Sequence, residues 1–369
     1  MTTSLFDPIQ FGDLKLANRV VMAPLTRGRA VDDLQPGPMT VEYYQQRATA
    51  GLIIAEATQV NAMAQGYIDT PGIFTPGQVA AWSKVTQAVH AEGGRIIVQL
   101  WHVGRISHTS FLPDGVSPVS STAQRANTQA YTKDGFVDVS TPRALRDDEI
   151  PGLVDDFRQS ARRAIEAGFD GVEIHGANSY LLDQFLRDSV NDRTGPYGGS
   201  IANRARLLLE ILQAVSAEIG AGRTGVRLSP MTTFSGTPRD SDPQALYNYL
   251  VEQIAPLNLA YLHIIEGETG GARHPQDAAK AFDYDALRSR FPGAGMINNG
   301  YSRDDALKAV ASGKGDLIAF GRPFISNPDL VRRLREDAPL NELQADKLYG
   351  GGQEGYTDYP TLDVETVVA

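Results

Sequence analysis

Gly295-Met-Ile-Asn-Asn-Gly300 and Leu317-Ile-Ala-Phe-Gly-Arg322 decide how this chain folds. Each is a short apolar run that ends at a glycine. Neither alternates polar with apolar residues, so each reads as a strand buried on both faces, the mark of a parallel sheet. Gly300 and Gly321 stand where strand gives way to loop. Glycine there lets backbone approach an anion closely, and the N-terminus of a following helix supplies N–H donors. Arg322 adds charge and a planar fork of donors. Taken alone, the two glycines serve equally well as tight turns.

Working outward, runs of the same kind lie at residues 20–23, 52–57, 96–100, 171–175, 225–228, 260–265, 295–298 and 317–320. Helical patterns separate them. Leu153, Val154, Phe157, Ala161, Ala164 and Ile165 share one face at 3.6 spacing, and so do Leu207, Leu208, Ile211, Leu212, Val215 and Ile219. Asp147 and Asp148 before Pro151 predict a capped helix start. Leu330, Val331 and Leu334 predict a last helix. Eight strands, each followed by a helix, is the count of a closed (β/α)8 TIM barrel. An open doubly wound sheet is the competing arrangement.

The extra length lies at residues 103–144, rich in Gly, Pro, Ser and Thr. It reads as a loop insertion after strand three that runs over the barrel mouth, with a small hairpin at 131–139. Residues before Val20 are expected to cap the bottom of the barrel. No linker or tight repeat interrupts the chain, so 1–369 reads as a single domain.

Composition narrows the function. Lys and Arg number 34 against 44 Asp and Glu, a net charge of −10, with no basic run. Nucleic acid is therefore excluded as a partner and a small molecule is expected. Cysteine is absent, so no thiolate nucleophile, disulfide or Cys-held metal exists. The first residues show no signal-peptide pattern and no long apolar window follows, which predicts a cytoplasmic protein without membrane contact. The sequence does not choose between monomer and homodimer.

In this barrel, chemistry resides where strands end. Strand one ends at Ala23-Pro24-Leu25-Thr26, strand two at Glu56-Ala57, and strand three at Gln99-Leu100-Trp101-His102. Strand five carries Arg227, a cation in a barrel interior, which needs an anion, an electron-rich ring, or an internal carboxylate such as Glu56. Gln99 offers donor and acceptor together, fitting an imide-like ring edge or a satisfied place in the core. His175, Asn178 and Tyr180 cluster after strand four. The first two can donate to one oxygen, and the third can deliver a proton. Loops after strands seven and eight form this fold's usual phosphate site. Gly350 to Gly355 matches G-x-G-x-x-G, but it follows no strand and reads as a glycine-rich loop. His102 and His108 lack the carboxylates a metal site needs, so no metal is expected.

At this point the chain resembles the old yellow enzyme family, near its classical bacterial branch of pentaerythritol tetranitrate, glycerol trinitrate and N-ethylmaleimide reductases. The resemblance spans essentially the whole chain. It rests on Asn18-Arg-Val-Val-Met-Ala-Pro-Leu-Thr-Arg27, Gln99-Leu-Trp-His-Val-Gly-Arg-Ile-Ser107, His175-Gly-Ala-Asn-Ser-Tyr-Leu-Leu-Asp-Gln-Phe185, Tyr197-Gly-Gly-Ser200, Phe320-Gly-Arg322 with Asn327-Pro-Asp-Leu330, and Gly355-Tyr-Thr-Asp-Tyr-Pro360.

The resemblance implies non-covalent FMN across the barrel mouth and NAD(P)H as electron donor, NADPH by preference. Ala23, Pro24, Leu25, Thr26 and Ala57 would line the isoalloxazine. Gln99 would meet its pyrimidine edge, and Arg227 would sit near N1 and O2. Asn299, Gly300, Gly321 and Arg322 would hold the phosphate. The implied reaction is ping-pong reduction of activated C=C bonds in enones, maleimides and nitroalkenes, extending to nitrate esters. Hydride would pass from flavin N5 to the β-carbon. His175 and Asn178 would bind the substrate oxygen, Tyr180 would protonate the α-carbon, and Tyr67, Trp101 and Tyr349 would shape the pocket.

The chain departs from the family pattern in using His/Asn in place of His/His. Ser179 stands where Gly is usual, and Gly176 where a slightly larger residue often sits. Competing readings are a Schiff-base aldolase or metal hydrolase, which lack their Lys or metal cluster here, and a flavin-binding sensor, against which the intact His175, Asn178 and Tyr180 speak.

Overall fold

Eight parallel strands close on themselves in the computed structural model, which describes residues 3–271, 273 and 282–365. They are β1 (Val20–Met22), β2 (Leu52–Gln59), β3 (Ile96–Trp101), β4 (Val172–Gly176), β5 (Thr224–Leu228), β6 (Tyr261–Ile265), β7 (Ala294–Asn298) and β8 (Leu317–Phe320). Strand β8 pairs with β1, Phe320 opposite Met22, which shuts the barrel and removes the open-sheet alternative. Nearly every strand residue is buried, as the uninterrupted Val and Ile runs require. The helices that follow the strands in turn are α1 (Pro38–Gln45), α2 (Pro76–Ala91), α3 (Ile150–Glu166), α4 (Ile201–Ile219), α5 (Pro243–Ile254), α6 (Tyr284–Arg288), α7 (Arg303–Ala311) and α8 (Leu330–Glu336). This is the predicted TIM barrel.

Two apolar layers hold it. Val21, Leu52, Ile54, Ile97, Met296 and Leu317 fill the lower barrel interior. Phe11, Leu14 and Leu16 join them from an antiparallel hairpin, Ile9–Phe11 with Leu14–Leu16, which caps the bottom as expected. Outside the strands, the predicted faces of α3 and α4 pack into the larger cluster, with Leu153, Phe157, Ala161 and Ala164 beside Leu207, Leu208, Ile211 and Val215.

One helix start differs from expectation. Asp147 and Asp148 do not cap α3; they form a 3-10 turn (Asp147–Glu149), and α3 begins at Ile150 with no side-chain cap. Asp147 instead pairs with Arg193. Pro151 still supplies the restrained first turn.

Between β3 and α3 the chain makes the expected excursion, including a hairpin of Gln129–Thr132 with Gly135–Asp138. The glycine-rich stretch 350–355 is turn and bend, and Gly350 N–H donates to Arg27 O (2.9 Å). Arg27 then grips the same segment, donating to Leu348 O (2.9 Å) and Gly355 O (2.7 Å). A C-terminal strap is thereby tied to the loop after β1. Among the described residues no helix is long and apolar enough to cross a membrane.

Candidate active site

The upper interior of the barrel is polar, because alternate residues of four neighbouring strands face inward there. Gln99 of β3 pairs in register with Glu173 of β4, and His175 with Arg227 of β5, which in turn pairs with His263 of β6. Glu173 is fully buried. It accepts from Gln99 Nε2 (2.7 Å) and Tyr261 OH (3.0 Å) and contacts His263 Nδ1 (2.8 Å). Burial alone would raise its pKa, but His263, Arg227 and Tyr261 outweigh this and hold the carboxyl below its usual range. Burial pushes His263 itself below its ordinary pKa, against the pull of Glu173.

Arg227 donates to Asn298 Oδ1 (3.0 Å), while its Nε is buried with no partner among the described residues. The internal carboxylate beside it is Glu173, not Glu56. A bulge between Ala55 and Ala57 turns Glu56 out of this layer. Glu56 instead accepts from Arg27 N–H (3.3 Å) and Tyr44 OH (3.4 Å). Gln99 is partly a core glutamine, since its amide N–H is committed to Glu173.

Above this layer lies the turn after β4. Asn178 and Ser179 adopt left-handed backbone, φ 59° and 64°. Asn tolerates that conformation; for serine it is strained and needs support. Ser179 N–H donates to Asp183 Oδ2 (2.8 Å) and its hydroxyl to Phe234 O (2.7 Å). Asp183 is in turn held by the fork of Arg187 and by Tyr247 OH (3.1 Å). Glycine at 179 would need no such tethers, so the departure from the family residue is accommodated in the turn itself.

The turn brings three predicted residues together. His175 and Tyr180 rings lie 5.1 Å apart, and Tyr180 OH meets Tyr67 OH at 3.0 Å. Burial, with Tyr67 beside it, pushes the Tyr180 phenol well above its ordinary pKa, so it keeps its proton. Burial, with Arg227 and His263 nearby, pushes His175 well below 6.5, so it is neutral. Its Nδ1 is buried without a partner among the described residues, as is Trp101 Nε1. Trp101 stacks on Tyr67 at 5.5 Å and meets Tyr180 edge-on at 4.9 Å. These aromatics form one wall. Tyr349 lies on the strap, 71% exposed, close enough to Tyr67 and Tyr180 to act on them electrostatically.

Across the mouth, β1 continues into Ala23, Pro24, Leu25 and Thr26. Ala23 and Pro24 are buried; Leu25 and Thr26 are half-buried. Ala57 is buried against the Trp101 and Tyr180 wall. After β7, Gly300 has φ 66°, and a Cβ there would meet nothing within 4 Å. After β8, only Leu25 Cδ2 lies within reach of a Cβ at Gly321, at 3.5 Å. Arg322 is exposed and donates to Gly270 O (3.3 Å). The helix it opens, Arg322–Ser326, is only five residues long. Asn299 turns its amide inward, donating to Glu266 O (2.6 Å) and Glu268 O (2.8 Å), so only its backbone faces the Gly300 turn.

Residues 4–341 match the model of the NADH:flavin oxidoreductase / NADH oxidase family. The chain is 47% identical over 365 residues to 12-oxophytodienoate reductase 1 of Oryza sativa, covering 97% of this chain and 93% of that protein. It is 45% identical over 365 residues to 12-oxophytodienoate reductase 2 of Arabidopsis thaliana, covering 97% and 96%. Among solved structures, morphinone reductase in complex with tetrahydroNAD superposes with TM-score 0.92 at 47% identity, 98% of each chain covered. The old yellow enzyme homologue from Zymomonas mobilis gives 0.93 at 45%, covering 98% of this chain and 100% of that one.

The chain belongs to the old yellow enzyme family.

Its members are NAD(P)H-dependent flavin oxidoreductases, and this chain is an enzyme of that type. The family implies FMN, and the residues present fit it. Arg227 Nε and His175 Nδ1 are buried polar atoms without partners among the described residues, and a Cβ at Gly300 would meet nothing within 4 Å. Four side chains of this old yellow enzyme escaped the sequence reading: Glu173, His263, Arg273 and Thr269. The first two are legible in hindsight, since 173 and 263 alternate with 175 and 261 on the same inward face. Arg273 lies over the Tyr301 ring at 4.0 Å, beside Gly300, with Nε and Nη1 buried and unpartnered among the described residues. No local pattern marks it or Thr269, because both sit on a loop whose course is set by contacts far away in sequence.

Proposed function

We propose that this enzyme reduces activated C=C bonds of enones, maleimides and nitroalkenes at the expense of NADPH, with nitrate esters accepted at the same site. The carrying observation is a set of donors gathered at one site: neutral His175, the Nδ2 of Asn178, which donates to no acceptor among the described residues, and a phenol at Tyr180 that bonds Tyr67 OH and keeps its proton. Relatives named for 12-oxophytodienoate and morphinone, both ketones by name, support a carbonyl-bearing substrate.

FMN, when bound, would supply hydride transfer from a nicotinamide to the substrate alkene, the two using the site in turn. Gln99 gives one amide N–H to Glu173 and would offer its other N–H and its oxygen to the flavin's pyrimidine edge. Arg227 would offer positive charge where electron density gathers on the flavin on reduction. Ala23, Pro24, Leu25, Thr26 and Ala57 border the ring. Gly300, Gly321 and Arg322 would hold its phosphate, with the Asn299 backbone. His175 and Asn178 donate to the substrate oxygen as negative charge develops on it. Tyr180 then gives its proton to the α-carbon, and Tyr67 holds that hydroxyl in place. Tyr67, Trp101 and Tyr349 bound the substrate.

One domain carries all of this, and the acidic, cysteine-free chain fits a cytoplasmic enzyme acting as monomer or homodimer. Assaying NADPH and NADH oxidation against 2-cyclohexenone, N-ethylmaleimide, a nitroalkene and a nitrate ester tests the proposal. Stoichiometric saturation of the enone double bond is expected; NADPH oxidation that only reduces oxygen, with every alkene untouched, overturns it.

A further inference from the structure

Asn178 is tethered by two loops other than its own. Its backbone N–H donates to Ser229 Oγ (2.8 Å) after β5, and its side-chain Oδ1 accepts from Thr269 Oγ1 (2.7 Å) after β6. Thr269 N–H in turn donates to Thr232 Oγ1 (3.3 Å). The loop bearing Thr269 is itself fixed: Glu268 accepts from Thr233 N–H (2.8 Å) and Arg239 Nη2 (2.6 Å), and Asn299 Nδ2 holds Glu266 O and Glu268 O.

A primary amide is nearly symmetric in shape. Rotated by half a turn about its last bond, Asn178 would present Oδ1 to the pocket in place of NH2. That would set an acceptor against the substrate's acceptor oxygen, turning attraction into repulsion. Something outside the amide must choose its orientation. Its Nδ2 donates to no protein acceptor among the described residues, whereas Oδ1 is taken by Thr269.

We infer that Thr269 is a positioning residue for the reaction: by donating to Asn178 Oδ1 it holds the amide with its NH2 toward the substrate oxygen, and so sets the affinity for ligands that offer an acceptor there. The inference rests on the proposed role of Asn178 as a donor to that oxygen. It gives the β6 loop a part in substrate binding through a hydrogen bond, one that the neighbouring Gly270 and Gly271 cannot provide.

The test uses the FMN-loaded enzyme and 4-hydroxybenzaldehyde as a non-reacting oxygen-bearing probe, titrated by the change in visible absorbance. Thr269→Val keeps the shape and removes the hydroxyl; it should raise the probe Kd roughly 5- to 20-fold, the scale of one or two lost or misdirected hydrogen bonds. Thr269→Ser should stay within about twofold of wild type. In an Asn178→Ala background the valine change should add less than about twofold, since the amide it aims is gone. FMN Kd should be unaltered throughout. A Thr269→Val enzyme with wild-type probe affinity, or one that loses the same factor with or without Asn178, overturns the inference. If Asn178→Ala alone leaves probe affinity untouched, the donor role of Asn178 fails, a result separate from failure of Thr269 to aim it.

Discussion

The turn after β4 and the glycine turns after β7 and β8 face each other across the barrel mouth and are built on opposite plans. In the first, the protein itself holds the backbone and orients the groups that act, leaving His175 Nδ1 and Asn178 Nδ2 open. Strained backbone at Asn178 and Ser179 is tied down by Ser229, Asp183, Phe234 and Thr269, and Tyr180 is met by Tyr67. In the second, side chains are absent or spent elsewhere. Gly300 faces open space, Arg322 reaches only one carbonyl, and Asn299 serves the neighbouring loop. The difference separates two tasks. Groups that act on a transient charge must be held before the substrate arrives, because reorganising them during the reaction costs rate. A phosphate that stays bound can complete its own cradle.

If that division holds, changes on the β4 side alter turnover and spare FMN retention. The largest effect belongs to Tyr180→Phe. Reoxidation by 2-cyclohexenone should slow by about 10²–10⁴-fold, the range of a lost general acid, while reduction by NADPH changes little. Stopped-flow measurement of the two half-reactions checks this, and equal slowing of both would erase the distinction. On the other side, Arg322→Ala should weaken FMN binding by about tenfold, the modest loss expected of an exposed charged contact, with turnover at saturating FMN retained. Fluorescence titration of FMN reads the first, and steady-state assay the second.

The buried layer beneath both regions should respond electrostatically. Glu173→Gln leaves Arg227 without its buried counter-charge, so the reduced, anionic cofactor should be favoured and the two-electron potential should rise by about 30 mV, a tenfold change in the equilibrium constant. Potentiometric titration measures it; a potential equal to wild type would remove Glu173 from the cofactor's field. The smallest effect lies outside the mouth, at Glu56. Burial pushes this carboxyl up to about 7 against 4.5, so the folded state holds a proton that the unfolded chain releases. Its contribution to stability is therefore present at low pH and fades as pH rises through that window. Glu56→Gln should gain a few degrees of Tm relative to wild type at about pH 8 and none at about pH 5. A difference in Tm that does not vary with pH would contradict the raised pKa.

The barrel was legible because its strands are continuous Val- and Ile-rich runs, a pattern that only burial on both faces explains; every predicted strand agrees with the observed one within two residues. His175, Asn178, Tyr180 and the two glycine turns were legible because this fold places strand ends at one mouth. The partners that aim them were not. Thr269 meets Asn178 across 91 positions of sequence, and Glu173 meets His263 across 90. Such pairs follow from barrel closure and register, which no local window contains. Glu56 was offered as a partner for Arg227 on the same logic of inward-facing residues, and one bulge in β2 displaced it.

Capture of a flavin by the converging strand ends is tested most directly by the visible spectrum of the purified protein, anaerobically, before and after NADPH and then 2-cyclohexenone. A yellow protein is expected, bleached by NADPH and restored by the enone. A protein that stays colourless after incubation with FMN would contradict the account.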